Sequence, residues 1–447
     1  SPDGRRLAFV AQPTPEADAS EEATIRILDL PTGGLTEVPG SRRGATPVWG
    51  RGGSDGVLFF TRPFDGAGWS RADLFSWGAG DGATPRDRSA ALDRDIEQIV
   101  VAPDGAIEAT WSRGANTELG RLDASGLRTV FRPGYPISAV ASSGDGRVFV
   151  RGDRPDEIWF AEGRNAARPI TRLNADRAAA IDLPRIEAVR WNSGPWEVEG
   201  VLTRAAAATG AGARPLLVRP HGGPRAHTLG EFSPQNAWFA ALGYLVLEPN
   251  FRGSTGYGDR FAKANAGDWG RGPFADVMAG VEALIAAGDA DPRRLYLFGW
   301  SYGGIMANWA ATHSDRFRAI VSGAGVADLR MQYILSDARR WRFDYFGGSP
   351  FLPEHLPTYW ANSPVTAVAK PATPVLFIQG EADRRCPLPQ ALMMHRALLD
   401  AGGTSTLVIY PREGHLFREP AHIADRADRI AEFLAAHGGA PVRSGRE

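Results

Sequence analysis

The stretch Arg294-Leu295-Tyr296-Leu297-Phe298-Gly299-Trp300-Ser301-Tyr302-Gly303-Gly304 decides the fold. An apolar run of buried-strand type leads into a glycine-flanked serine, and the alanine-rich segment from Tyr302 to Thr312 that follows is compatible with a helix. A Gly-x-Ser-x-Gly pentapeptide placed between strand and helix makes the chain reverse sharply at the serine. The backbone there is strained, and side chains at Gly299 and Gly303 would collide where strand and helix cross. The pentapeptide alone is weak: with 53 glycines and 23 serines in 447 residues, chance supplies about a third of a match. A second match does occur, Gly52-Gly53-Ser54-Asp55-Gly56, between the strand-like Pro47-Val48-Trp49 and Val57-Leu58-Phe59-Phe60. No helix follows it, so Ser54 reads as a turn serine and Ser301 as the nucleophile candidate.

Outward from Ser301, residues 184–447 read as strands alternating with helices. A hairpin, Ile186 to Trp191 and Trp196 to Leu202, precedes apolar runs at Pro215–Val218, Tyr244–Leu247, Arg294–Phe298, Ala319–Ser322, Pro374–Ile378 and Ser405–Tyr410. Helical stretches lie between them at Phe274–Ala287, Tyr302–Thr312, Pro389–Ala401 and Glu419–His437. Such alternation predicts a doubly wound, mostly parallel sheet.

A serine hydroxyl needs a base, and the base needs an orienting carboxylate. On this scaffold the chain order is serine, carboxylate, histidine, with the last two in loops after later strands. Of the eight histidines, His415 in Arg412-Glu413-Gly414-His415 has that position. His395, His422 and His437 fall in helical stretches and read as surface or packing residues, while His221, His227, His313 and His355 come too early. Asp383, after the strand and glycine turn ending at Gly380, is the preferred carboxylate, with Asp328 as its rival. An acyl-transfer oxyanion also requires preplaced donors. One is the backbone N–H of Tyr302, and the second is expected in the loop His221-Gly222-Gly223-Pro224, where His221 supports the loop instead of titrating.

Residues 1–183 follow another grammar. Asp-Gly pairs recur at Asp3-Gly4, Asp55-Gly56, Asp104-Gly105 and Asp145-Gly146, at spacings of 52, 49 and 41, although Asp65-Gly66 and Asp81-Gly82 fall off that period. Each is a tight-hairpin signal. Alternating strands such as Arg6-Leu7-Ala8-Phe9-Val10 follow, and a strand-built repeat of about 40 to 50 residues predicts a β-propeller with about four blades. The chain opens at a turn, Ser1-Pro2-Asp3-Gly4, without the strand before it, so the natural protein is expected to extend upstream with further blades.

The bulk composition excludes several functions. The 43% hydrophobic and 23% charged content is that of a globular protein of about two domains. The net charge of −1 comes without basic or acidic blocks, so neither nucleic acid nor an anionic membrane is an indicated partner. Apolar runs fall short of the roughly 20 residues of a membrane helix. Cys386 is the single cysteine, so no internal disulfide and no cysteine-based metal site forms; it reads as a packing residue. No metal or other cofactor is expected, the oligomeric state is left open to homo-oligomers, and the expected compartment is the cytoplasm.

Together HGGP at His221, PNFRGSTGYG at Pro249, DWGRGPFADVMAGVEALI at Asp268, GWSYGGIM at Gly299, GEADRRCP at Gly380 and EGH at Glu413 resemble the prolyl oligopeptidase family of serine peptidases, in its acylaminoacyl- and dipeptidyl-peptidase branches. The resemblance covers residues 185–437 and implies an α/β-hydrolase domain behind a propeller of usually seven or eight blades, four of which are visible here. It implies short peptides as substrates, Ser301, Asp383 and His415 as a triad, and Gly223 with Tyr302 as oxyanion donors. It also implies that Arg385 holds the carbonyl preceding the cleaved residue, as in acylaminoacyl peptidases. Dipeptidyl peptidases instead grip a free amine with two propeller glutamates, for which Glu21-Glu22 is the one adjacent pair. The pocket for the cleaved residue is expected to be apolar and to lie near Val326, Leu329, Tyr333 and Cys386.

Overall fold

The computed structural model describes residues 1–51, 56–78, 84–163, 166–206, 212–369 and 372–440. Ser54, Asp55 and the Asp81-Gly82 turn lie outside the described residues. The chain divides into two compact units, Ser1–Ile181 with Leu229–Glu231 and Thr255–Lys263, and Asp182–Thr228 with Phe232–Ser254 and Ala264–Glu447. Two stretches of the later sequence thus group with the first unit. Asp259 shows why: its backbone N–H donates to Asp93 (2.9 Å) and its carboxylate accepts from the Arg71 amide (3.2 Å).

Among its described residues the first unit contains four antiparallel meanders, the blade repeat of a β-propeller. Three strands form the first (Arg6–Ala11, Thr24–Asp29, Leu35–Glu37), and four form each of the next, which begin at Ala45, Ile96 and Ile137. Side chains alternate across a strand, so the second and third blades each feed two cores. Phe60 packs with Ile25, Ile27 and Phe75, while its neighbour Phe59 packs with Ile96, Ile107 and Trp111. Ile99 and Val100 divide in the same way between the second core and a third around Phe149 and Trp159. Gly4, Gly56, Gly66 and Gly105 have the positive φ their turns require, but in the last repeat that conformation falls on Gly144 (φ 57°), and Gly146 instead opens a strand.

The second unit is built on one eight-stranded sheet: β1 (Arg185–Ser193), β2 (Trp196–Arg204), β3 (Arg214–Val218), β4 (Leu245–Asn250), β5 (Ala290–Trp300), β6 (Ala319–Gly323), β7 (Val375–Gly380) and β8 (Ser405–Tyr410). Their order is β1-β2-β4-β3-β5-β6-β7-β8; β1–β2 and β2–β4 pair antiparallel, and every later pair is parallel. The helices are α1 (Pro234–Ala241), α2 (Arg271–Ala286), α3 (Tyr302–His313), α4 (Leu329–Leu335), α5 (Leu388–Asp400) and α6 (Pro420–Ala436), with shorter turns between. β6 and β7 are buried at every residue, as parallel strands covered on both faces must be, which is why they read as continuous apolar runs. One core joins Leu217, Val246, Phe298, Val321 and Ile378 of the sheet to Ile430 and Leu434 of α6. α3 is buried from Tyr302 to Ala311, so it is apolar on all sides, not amphipathic. Parallel strands bring their carboxyl ends to one edge, where sites of such folds assemble. The loops that follow β5, β7 and β8 carry Ser301, Asp383 and His415.

Candidate active site

β5 ends at Trp300 and α3 begins at Tyr302, so the chain turns on a single residue. Ser301 takes φ 61° and ψ −119°, a strained conformation for a residue with a side chain. The flanking glycines are steric requirements. A Cβ on Gly299 would sit 1.8 Å from the Gly303 carbonyl oxygen, and one on Gly303 would sit 2.2 Å from that of Pro220. The strain is held by the Ser301 N–H on the Gly323 carbonyl (3.0 Å) and by the first helical bond, from Ile305 N to the Ser301 carbonyl (3.0 Å).

His415 Nε2 lies 3.0 Å from Ser301 Oγ, and its Nδ1 lies 2.9 Å from Asp383 Oδ2. The carboxylate can accept only a proton-bearing Nδ1, which leaves the Nε2 lone pair facing the hydroxyl. Asp383 is fixed from behind: Oδ1 accepts from the amides of Arg385 (2.8 Å) and Cys386 (2.9 Å), and Oδ2 also accepts from Gln379 Nε2 (3.3 Å). Its rival Asp328 is elsewhere, capping α4 by accepting from the amides of Arg330 (2.8 Å) and Met331 (3.3 Å) and pairing with the Arg330 guanidinium.

The two loops are bound to each other. Ala382 N donates to the Glu413 carbonyl (2.8 Å), and a side chain at Gly380 would meet the Gly414 oxygen at 2.4 Å. Trp300 Nε1 donates to the His415 carbonyl (3.0 Å). Glu413, buried directly before Gly414-His415, accepts from the amides of Arg418 (2.8 Å) and Glu419 (2.9 Å) and from His422 Nδ1 (3.0 Å). Burial raises its pKa, but those three donors outweigh burial and hold it below the ordinary value. Glu413, Glu419 and His422 are close enough to suggest a cation site, yet Glu413 is occupied by these donors and Glu419 by Arg412 (2.7 Å). The sequence marks Glu413 only as part of the Glu413-Gly414-His415 stretch, with no role of its own, and His422 reads from it as a surface or packing residue; the pairing of the two is a tertiary contact.

A cavity of about 180 Å³ opens beside Ser301, and its lining includes Gly223, Tyr302, Val326, Arg385, Cys386 and His415. Leu329 and Tyr333 do not line it. Leu329 is fully buried with its amide on Ser363 Oγ (2.9 Å), and Tyr333 stacks on Phe343. Trp269, Ile305, Gln332, Trp341 and Arg342 complete the wall instead. Gly223 has φ 122°, and a Cβ on the adjoining Gly222 would touch Ser301 Cβ at 3.5 Å, so this loop runs against Ser301. His221 stacks on Phe251 (4.3 Å) and meets Ser254 Oγ through Nε2 (2.8 Å), and burial pushes its pKa down to about 4, so it braces the loop as a neutral ring. Arg252, two residues before Ser254, grips Asp276 of α2 with two bonds (2.8 and 2.5 Å). Burial raises the Cys386 thiol to about 12, which leaves it protonated and inert. Arg385 donates from Nε to Asp337 (2.7 Å), which orients its guanidinium at the cavity wall.

The arrangement can activate a serine hydroxyl for acyl transfer. A model described as the prolyl oligopeptidase family matches residues 231–440. The uncharacterized peptidase YuxL of Bacillus subtilis is 31% identical over 301 residues, 66% of this chain and 46% of that protein. Dipeptidyl peptidase family member 6 of Caenorhabditis elegans is 32% identical over 225 residues, 49% of this chain and 30% of that protein. The chain therefore spans less than half the length of these curated relatives. Acylaminoacyl peptidase of Pyrococcus horikoshii superposes with a TM-score of 0.83 at 22% identity, over 99% of this chain and 71% of that one, a likeness of fold. Among the described residues, no helix is long and apolar enough to cross a membrane.

Proposed function

We propose, from the premise that the chain belongs to the prolyl oligopeptidase family, that it is a serine peptidase cleaving short peptides through an acyl-enzyme. The observation that carries this is the relay from Ser301 Oγ through both nitrogens of His415 to Asp383, seated on a strained elbow beside a cavity the size of one side chain. Ser301 Oγ attacks the scissile carbonyl as its proton passes to His415 Nε2. The N–H groups of Gly223 and Tyr302 meet the oxyanion, each worth roughly 3 kcal/mol. His415 then protonates the departing amine, and a water activated by the same nitrogen releases the acyl group. Covalent labelling by a fluorophosphonate, mapped to Ser301, together with turnover of peptide anilides, tests this reading. A protein that binds peptides but is neither labelled nor active would be a propeller binding module with an inert hydrolase half. Turnover of activated esters with no anilide cleaved would make it an esterase. A cytoplasmic location belongs to the same proposal, and cell fractionation checks it.

Within this reading the acylaminoacyl type is favoured by Arg385, whose guanidinium is aligned by Asp337 at the cavity beside Ser301. An N-acyl carbonyl next to the scissile residue supplies an acceptor for it. Glu21, by contrast, is already paired with Arg43, a poor surrounding for a substrate ammonium. Arg385→Ala is expected to lower kcat/KM on an N-acetylated amino-acid anilide by about 10-fold or more. A bare amino-acid anilide should be much less affected. Equal loss on both would reduce Arg385 to a brace for the Asp383 loop, and a wild-type preference for a free dipeptide anilide would favour the dipeptidyl-peptidase alternative.

Glu413 acts through His415 as a positioning residue. Glu413→Ala should lower kcat about 10-fold with KM nearly unchanged, and Glu413→Gln, which keeps an acceptor for the two amides, should recover part of the loss. Proportional loss in both kcat and active-enzyme titre would indicate only a damaged fold.

A further inference from the structure

A second cleft, of about 570 Å³, shares His415 and Arg385 with the first cavity but is not lined by Ser301. Four arginines line it. Arg385 is paired with Asp337 and Arg412 with Glu419, while Glu413 is engaged by two amides and His422. Arg384 and Arg418 also line it, and among the described residues neither guanidinium has a hydrogen-bond or ion-pair partner; with the Glu413 carboxylate counted, the lining keeps a formal excess of one positive charge, carried on two guanidinium groups open to a ligand. Beside them Leu416, 71% exposed, offers an apolar surface at the same wall.

The chemistry says what lies there. The acyl half of a substrate must face Ser301 and the oxyanion donors, which line the first cavity. The departing amine must face His415, which gives it a proton, and so the fragment it belongs to extends into the cleft that contains His415 without Ser301. When that fragment is one or two residues long, it ends in a carboxylate within reach of the same wall. A guanidinium binds a carboxylate through two parallel N–H bonds and cannot lose its charge.

We infer that Arg384 and Arg418 form a subsite for the C-terminal carboxylate of a short leaving fragment, with Leu416 against its side chain, so that the enzyme favours removal of one or two residues from the C-terminal end of blocked peptides. The inference rests on the serine-peptidase reading. In the step itself the C–N bond breaks, the carbonyl–Ser301 bond forms, and the amine takes the His415 proton; the carboxylate is held and unchanged.

The test compares an N-acetylated dipeptide with a free C-terminal carboxylate against the same dipeptide as its C-terminal amide, with the released amino acid or amino-acid amide quantified by chromatography. The acid is expected to be cleaved with about 10-fold higher kcat/KM, and the advantage should shrink as ionic strength rises. The double change Arg384→Gln with Arg418→Gln should bring the ratio of acid to amide close to one, whereas Arg384→Lys with Arg418→Lys should keep much of it. A wild-type ratio near one, or a ratio that survives the double glutamine change, would overturn the subsite. Failure of the wild-type enzyme to hydrolyse an N-acetylated amino-acid nitrophenyl ester would instead overturn the serine-hydrolase reading on which it stands.

Discussion

Ser301→Ala is expected to lower kcat by about 10⁶ with KM little changed, and His415→Ala to lower it by a similar factor. The reason is that the two groups work as one unit. Without Oγ there is no atom to form the acyl-enzyme, and without Nε2 at 3.0 Å the hydroxyl keeps its proton and is a weak nucleophile. The double variant should be hardly worse than either single one, since the second change removes a partner that no longer has a function. On the proposed mechanism, substrate binding in the 180 Å³ cavity should survive, together with the proposed donors Gly223 and Tyr302, whose backbone groups neither substitution removes. Pre-steady-state burst measurements with an activated ester check the point, because the burst reports the acyl-enzyme directly. A Ser301→Ala protein that kept a burst, or more than about one part in a thousand of wild-type kcat, would place the nucleophile elsewhere.

The elbow was legible because it combines signals that rarely coincide: a continuous apolar strand, glycines at fixed offsets and a helix without a polar face. The steric distances at Gly299 and Gly303 show why that local pattern is compulsory. The propeller was legible for a similar reason, since strand alternation such as Phe59 against Phe60 is dictated by the cores on either side of a blade. The pocket wall was not. Val326 and Cys386 do face it, but the expectation for Leu329 and Tyr333 had no helix α4 behind it. On a helix, adjacent residues point about 100° apart, so when Gln332 faces the cavity Tyr333 turns toward Phe343 instead. Trp269 and Trp341 come from segments without period or strand, and only tertiary packing, in which the two rings stack at 5.4 Å, brings them together. The grouping of Thr255–Lys263 with the first unit was equally hidden, because it depends on contacts such as Asp259 with Asp93 across 166 residues of sequence.

Asp383→Asn is expected to lower kcat by about 10⁴, less than loss of the nucleophile because the imidazole remains. The hydrogen bonds around Asp383 explain why so small a change costs so much. Its Oδ1 accepts from two backbone amides, so an asparagine would keep its carbonyl oxygen at that position and turn its NH₂ toward His415. That group donates, so Nδ1 would have to accept, and the ring proton would move to Nε2, where it faces Ser301 Oγ and cannot take a proton from it. The same NH₂ would also meet Gln379 Nε2, donor against donor, between two buried side chains. Asp328→Asn is the matched control, since Asp328 is equally buried but serves as the N-cap of α4, where asparagine is about as good a cap as aspartate. Only its charge pairing with Arg330, whose guanidinium is partly exposed, is weakened, so kcat should stay within a few-fold of wild type and thermal stability should fall only modestly. Steady-state kinetics of the two variants, with circular dichroism to confirm the fold, separates the assignments. If Asp328→Asn proved as damaging to kcat as Asp383→Asn with the fold intact, the carboxylate assigned to His415 would be wrong despite its 2.9 Å contact.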